Sequence, residues 1–399
     1  MRILQLCHKP PLPAKDGGCI AMNNLTQGLL QAGHKVKLLT IYTPKHDLRL
    51  DEMPAEYVEK TDIEGVFVDT SINVIDAYIA IMTNDSYHVN RFYSPDMDIR
   101  IERVLKKSNF DAIILESLFI TPYLPTIKKN RKNAPLILRA HNIEYSIWEK
   151  IALRTKNPFK KIYLNHLTRQ LKEFECMMYN LVDGIATIAD SDKIRMMQLG
   201  THKPIKTISF GLNLQEYQTE AEKKLNLFHI GAMDWSPNLE GIQHFIERIW
   251  PGLHEEFPHL PLVLAGRNMP ESWKNWSIPN VQILGEIEDA HLFMKENGLM
   301  IVPLLSGGGI RVKIIEGLAL GKVVISTTIG AIGIEDKFEH PILIANNLSE
   351  WKEQIASVLH SSEKRNEIAA KGRSFAEQYF NHHHITAELI HFIKQVGKK

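Results

Sequence analysis

Short apolar runs alternate with amphipathic stretches along almost the whole chain. Runs that read as buried strands are RILQLC, KVKLLTI, DAIILE, LILRAH and GIATIA; a second series follows, NLFHIG, LPLVLAG, VQILGEI, GLMIVPL, KVVIST and ILIA. Between them, apolar residues recur at helical spacing over Cys19–Ala32, Asp96–Lys107, Lys160–Asn180, Leu239–Glu256 and Arg311–Leu320. Unbroken apolar strands alternating with amphipathic helices predict an α/β fold, with parallel sheets covered by helices on both faces. One sheet holding every strand would be unusually wide. The polar, charged stretch Phe210–Asn226 interrupts the series, so the chain is expected to divide there, into a first domain over 1–215 and a second over 216–380. Two doubly wound domains would face each other across a cleft lined by strand carboxyl ends, where ligands bind in such sheets.

Composition narrows the function. The 399 residues are 44% hydrophobic and 23% charged, enough for two sizeable cores. The formal net charge of +1 supplies no global field toward nucleic acid or a membrane, so any anion binding must be local. Cys7, Cys19 and Cys176 offer neither a disulfide framework nor zinc spacing, which fits a reducing compartment. The start, MRILQLCHKPPLP, reads as a strand and not a signal peptide, and no apolar run reaches the roughly 20 residues a spanning helix needs. A cytoplasmic protein is expected, with peripheral attachment at the inner face of a membrane left open.

The chemistry concentrates in two glycine loops. In LLSGGGIRVKIIEGLALGKVVIST, Gly307, Gly308 and Gly309 follow a strand and open a helix beside Ile310, Arg311 and Lys313. Glycine lets backbone approach a ligand, and the first amides of a helix lack internal partners, so a diphosphate fits such a place. A plain turn with Lys313 paired to Glu316 at i,i+3 fits the same stretch. Glu316 is placed to accept hydrogen bonds from ribose hydroxyls, and Glu335, in GAIGIED, is placed to face the same cleft. The pair Gly17–Gly18 holds the equivalent position in the first domain, without the G-x-G-x-x-G fingerprint of dinucleotide enzymes. There too a phosphate loop and a simple strand-to-helix turn both fit. Gly231 and Asn238 lie in the loop GAMDWSPN, which Asp234 and Asn238 would shape while Trp235 packs. His141 ends a strand, with Asn142 as the expected helix cap and Glu144 in the first turn favouring the helix dipole. Asp96, Asp98, Asp190 and Asp192 form two D-x-D strings at helix starts and read as caps, not metal ligands. The run His382–His384 lacks acidic partners and reads as solvated.

GGGIRVKIIEGLALGKVVIST with GAIGIE resembles the C-terminal signature of the GT-B-fold glycosyltransferases of group 1, often called family four. HIGAMDWSPNLEGIQHFIERIWP resembles a block in a bacterial branch of that family, and RAHNIEYSIWEK, the opening glycine pair and GHKVKLLT match its N-terminal domain. The resemblance spans nearly the whole chain. It implies two Rossmann-like domains, a nucleoside-diphosphate sugar held as co-substrate mainly by the second, and an acceptor, saccharide or lipid-linked, held mainly by the first. It also implies retention of anomeric configuration with no bound metal or other cofactor. By the same resemblance Glu316 contacts the donor ribose, His141 lies near the transferred sugar, Gly17 and Gly18 lie near the donor phosphates, and the tail 381–399 forms a helix that returns to the first domain. Two departures stand out. Gly308 occupies the position of the first glutamate in the family's E-x7-E motif, and GAMDWSPN lacks the Arg and Lys that many relatives place there. Arg311 and Lys313 would then carry the diphosphate charge.

The expected function is glycosyl transfer in cell-surface polysaccharide or glycan synthesis. A sugar-nucleotide epimerase on the same plan and a non-catalytic nucleotide-sugar-binding protein are the competing readings. Nothing points to nucleic acid, because no basic stripe is present.

Overall fold

Seven strands pair in parallel in the first of the chain's two units: β1 (Arg2–Cys7), β2 (Lys35–Tyr42), β3 (Glu64–Phe67), β4 (Ala112–Glu116), β5 (Leu136–Ala140), β6 (Gly184–Thr187) and β7 (Ile205–Thr207), in the order β3-β2-β1-β4-β5-β6-β7. The structure, a computed structural model, describes residues 1–14, 16–71, 86–219, 224–307, 309–334 and 341–398. Every residue of β4 and β5 is buried, which is why these strands are unbroken apolar runs and not alternating ones. The edge strands β3 and β7 are only partly buried, so they lack such a run and escape a hydrophobicity reading. The order reverses between β1 and β4, which places a topological switch point at their carboxyl ends.

The helices of this unit are α1 (Gly17–Gln31), α2 (Pro95–Lys107), α3 (Glu144–Arg154), α4 (Pro158–Leu181) and α5 (Asp190–Gln198), among others. Their starts correct several expectations. Asn142 does not cap α3. The carboxylate of Glu175, on α4, accepts from the amides of Glu144 and Tyr145 at 3.0 Å each, so a neighbouring helix supplies the cap. Glu144 is therefore no free dipole partner. Burial, followed by the neighbouring Glu175, pushes its carboxyl up to about 7. Nor are the D-x-D aspartates caps. Ser94 and Ala189 hold the cap positions of α2 and α5, and the four aspartates lie in the first turns.

The second unit, residues 212–381, holds a parallel six-stranded sheet. Its strands are β8 (Leu227–Ile230), β9 (Leu262–Ala265), β10 (Val281–Gly285), β11 (Leu299–Val302), β12 (Val324–Ser326) and β13 (Leu343–Ile344), in the order β10-β9-β8-β11-β12-β13. Its switch point lies between β8 and β11. The expected single helix over Leu239–Glu256 is interrupted. Helix α6 (Ser236–His244) passes into a π-helical turn, Phe245–Ile249, before α-helix resumes at Trp250. Pro251 has no amide hydrogen to donate to a residue four back, which accounts for the shifted hydrogen bonding there. Helix α7 (Val312–Ala319) follows β11.

The chain crosses between units at Gly211/Leu212 and again at Asn381/His382, in place of the expected 215/216 and 380/381. The last helix, α8 (His382–Gly397), belongs to the first unit. Its Ile385, Leu389, Phe392 and Ile393 pack with Leu25 and Leu29 of α1 and with Ile3 and Ile137 of the sheet. His382 is buried, against the expectation that this histidine run is solvated, whereas His383 and His384 are exposed.

Two outcomes follow. Leu389→Ala should cost about 2–5 kcal/mol in urea unfolding, since its side chain is fully buried in that core. The carboxyls of Glu144 and Glu175 are each raised from 4.5 to about 7, chiefly by burial, so the fold favours their protonated forms. That stabilisation is complete below the unfolded value and is lost as pH rises through the folded one. The melting temperature should therefore fall across that window, and Glu144→Gln should flatten the fall.

Candidate functional site

At the switch point of the second sheet, the segment after β8 and the glycine loop after β11 are tied together by one side chain. Lys313, in the first turn of α7, donates to the carbonyl of Ile230 (3.1 Å) and to Oδ1 of Asn238 (2.8 Å), and lies 3.3 Å from Nε2 of His229. His229 is buried in β8, with Nδ1 2.9 Å from the carbonyl of Ile301. A carbonyl can only accept, so Nδ1 carries the proton and Nε2 is left to accept from Lys313. All three ammonium donors thus meet neutral groups, and among the described residues no carboxylate pairs with Lys313. Burial, then the Arg311 guanidinium, brings its pKa from 10.5 down to about 7. Pairing with Glu316 is excluded.

Gly231 is required beside this ammonium. A Cβ there would lie 2.9 Å from Nζ of Lys313 and 2.7 Å from Nδ2 of Asn238. Asn238 also donates to the carbonyl of Ala232 at 2.9 Å, closing the loop that the sequence expected it to shape. In the other loop Gly307 and Gly309 have φ of +115° and +74°, conformations that favour glycine. Ile310 is half-buried just before the cap residue Arg311. Gly308 and Glu335 lie outside the described residues. The guanidinium carbon of Arg311 sits 5.0 Å from the centroid of the Trp235 ring, so that ring is more than packing. Arg311 at the cap position makes no capping bond, and the first turn of α7 contains no acid, so this helix start keeps partial positive charge for an anion. One turn further on, Glu316 accepts from the hydroxyl of Tyr217 (3.1 Å) and lies 3.6 Å from Nε2 of His291.

In the first unit, His141 follows β5 and lies 2.7 Å from Oε2 of Glu116, the last residue of β4. Glu116 is fully buried, and it also accepts from Gln5 (2.9 Å) and Arg139 (3.3 Å). Burial alone would raise this carboxyl; Arg139, then the bond from His141, outweigh it and hold it at about 2. Burial lowers the pKa of His141 despite Glu116. The imidazole is therefore neutral, with Nε2 donating to the carboxylate and Nδ1 left as an acceptor. His8, after β1, is 2.8 Å from the carbonyl of Glu116 and is held neutral by burial, then by Lys9 and His141, at about 3.

The Gly17–Gly18 turn differs from its counterpart at α7. Asp16 caps α1 by accepting from the amide of Cys19 (3.0 Å), and Lys9 lies 2.7 Å from both oxygens of that carboxylate. An acid already occupies this helix start, and the nearby cation is spoken for. Among the described residues, no group of three or more His, Cys, Asp and Glu side chains gathers as a metal site, and no helix is long and apolar enough to cross a membrane.

Sequence reasoning missed Glu116, His8, Arg139, His229, Tyr217 and His291. An acid ending the apolar run DAIILE and a histidine inside NLFHI are detectable oddities. Tyr217 and His291 reach Glu316 only through the tertiary fold.

Residues 224–361 match the family model described as glycosyl transferases group 1. Over 383 residues the chain is 21% identical to an uncharacterized 44.6 kDa protein in the cps region of Klebsiella pneumoniae, covering 93% of this chain and 94% of that one. It superposes on sucrose-phosphate synthase from Thermosynechococcus elongatus with a TM-score of 0.71 at 14% identity, covering 99% of each chain. The Anabaena protein HepE in complex with UDP gives a TM-score of 0.67, also at 14% identity, over 99% of this chain and 100% of that one. The fold is thus that of the GT-B glycosyltransferases, with two Rossmann-like domains. Within the second unit, residues 224–361 are thus similar to the group 1 glycosyl transferases.

An NMR titration of carbon-13-labelled lysine should give Lys313 a pKa of about 7 and place it higher in Arg311→Gln, because Arg311 is the second cause of the depression. A value near the ordinary 10.5 would contradict the site as described.

Proposed function

We propose that this glycosyltransferase moves a sugar from a nucleoside-diphosphate donor to a saccharide or lipid-linked acceptor, with retention of configuration, in cell-surface polysaccharide synthesis. The observation that carries the donor reading is the uncapped start of α7 beside an ammonium hydrogen-bonded only by neutral groups. A diphosphate would supply the counter-charge that no described carboxylate supplies. As the sugar–oxygen bond breaks, negative charge grows on the diphosphate, and Lys313, Arg311 and the helix amides stabilise it where it appears. The sugar ring gains positive character. Glu316, steadied by Tyr217 and His291, receives the ribose hydroxyls. His141, oriented by Glu116, presents Nδ1 to a sugar hydroxyl. No resident cofactor is invoked and no role is assigned to a metal. The location of the Klebsiella relative in a cps region and the saccharide chemistry named for the solved neighbours support the substrate class.

A uridine nucleotide is the first probe, since HepE holds UDP. Lys313→Ala and Glu316→Ala should each weaken UDP binding roughly ten- to a hundredfold in calorimetry, at the value of one charged hydrogen bond. Anion binding favours charged Lys313, so affinity should fall as pH rises above its free value of about 7. Proton uptake should accompany binding there and vanish in Lys313→Met. His141→Ala should lower turnover by about a hundredfold while donor affinity holds. Unchanged affinity in both donor variants would refute the site, and an epimerised nucleotide sugar formed from donor alone would refute the reaction.

A further inference from the structure

Among the described residues, six of the eighteen large apolar side chains that stand exposed fall within residues 147–163, at the junction of α3 and α4. Ile147 and Ile151 are one turn apart on α3; Phe159, Ile162 and Tyr163 share a face of the first turns of α4. Phe159 is 82% exposed and Ile162 69%, values without a structural benefit in water. The same hairpin is strongly basic, which corrects the expectation that the chain has no basic stripe. Residues 150–172 contain seven Lys and Arg and no Asp or Glu, in a chain whose net charge is only +1. Among the described residues no carboxylate pairs with Lys156, Lys160 or Lys161, so these three are not spent on internal ion pairs.

We infer that the tip of the α3–α4 hairpin is a docking surface for an anionic lipid bilayer, with Phe159 and Ile162 entering the headgroup boundary and the surrounding lysines and arginine meeting lipid phosphates. The argument is complementarity of two kinds at once. Apolar side chains on an exposed turn gain from leaving water, and long basic side chains lay their stems along that apolar surface while their heads reach anionic headgroups. A second copy of the chain fits poorly, because a symmetric contact would set one cationic patch against another. The inference stands on this surface alone and does not depend on the donor site.

Co-sedimentation of the full chain with vesicles tests it. Binding is expected to phosphatidylcholine vesicles containing roughly a third phosphatidylglycerol, to be absent with phosphatidylcholine alone, and to weaken steeply with salt. Lys160→Gln with Lys161→Gln should lower the partition roughly thirtyfold, from about 1 kcal/mol per charge near such a surface. Phe159→Ser with Ile162→Ser should lower it at least about tenfold, with far-UV circular dichroism unchanged. Absence of binding to the anionic vesicles at low salt would overturn the inference, as would binding that both double variants retain. A dimer in analytical ultracentrifugation that Phe159→Ser abolishes, without vesicle binding, would assign the patch to self-association instead.

Discussion

An ammonium group, half-buried at the carboxyl end of a parallel sheet and, among the described residues, offered only neutral acceptors, governs the second unit. Holding a charge in such a place is costly unless every donor is satisfied. The local sequence meets that demand point by point. His229 takes the tautomer that leaves Nε2 free to accept, Asn238 turns its carbonyl oxygen to the ammonium and its amide to Ala232, and Gly231 removes the side chain that would otherwise fill the space. The result keeps the fold intact and, among the described residues, pairs the ammonium with no carboxylate, so its hydrogen bonds are set by the protein itself.

The first unit solves the opposite problem. Its buried charge is the carboxylate of Glu116, and it is fully answered by Gln5, Arg139 and His141. Its helix start is answered as well, by Asp16 with Lys9. One switch point thus carries a cation that no carboxylate among the described residues answers, and the other a neutral imidazole on a fixed carboxylate. Under the proposed reaction, the first would hold the donor diphosphate and the second would position a sugar hydroxyl.

Most of the architecture was legible in the sequence because buried parallel strands must be apolar along their whole length. RILQLC, DAIILE and LILRAH announce themselves, whereas the edge strands EGVF and IKT carry too little burial to do so. Helix starts were read less well. A cap can come from a distant residue, and Glu175 serves α3 from α4, leaving Asn142 without the role its position suggested. Pro251 was visible, but the helical period around it concealed the π turn. In the site, Lys313, Asn238 and the glycines followed from loop position. The partners that set their charge, His229 for Lys313 and Tyr217 with His291 for Glu316, are separated from them in sequence and meet only on folding.

Helix α8 closes one face of the first sheet, although in sequence all of residues 212–381 separate it from the rest of that core. During synthesis on the ribosome, Ile3, Leu25 and Leu29 emerge early and must wait uncovered until the last residues are made. The middle of the chain has no such dependence and can condense as soon as it leaves the exit tunnel. Completion of this one cluster of the first unit thus depends on residues more than 350 positions away from its opening strand.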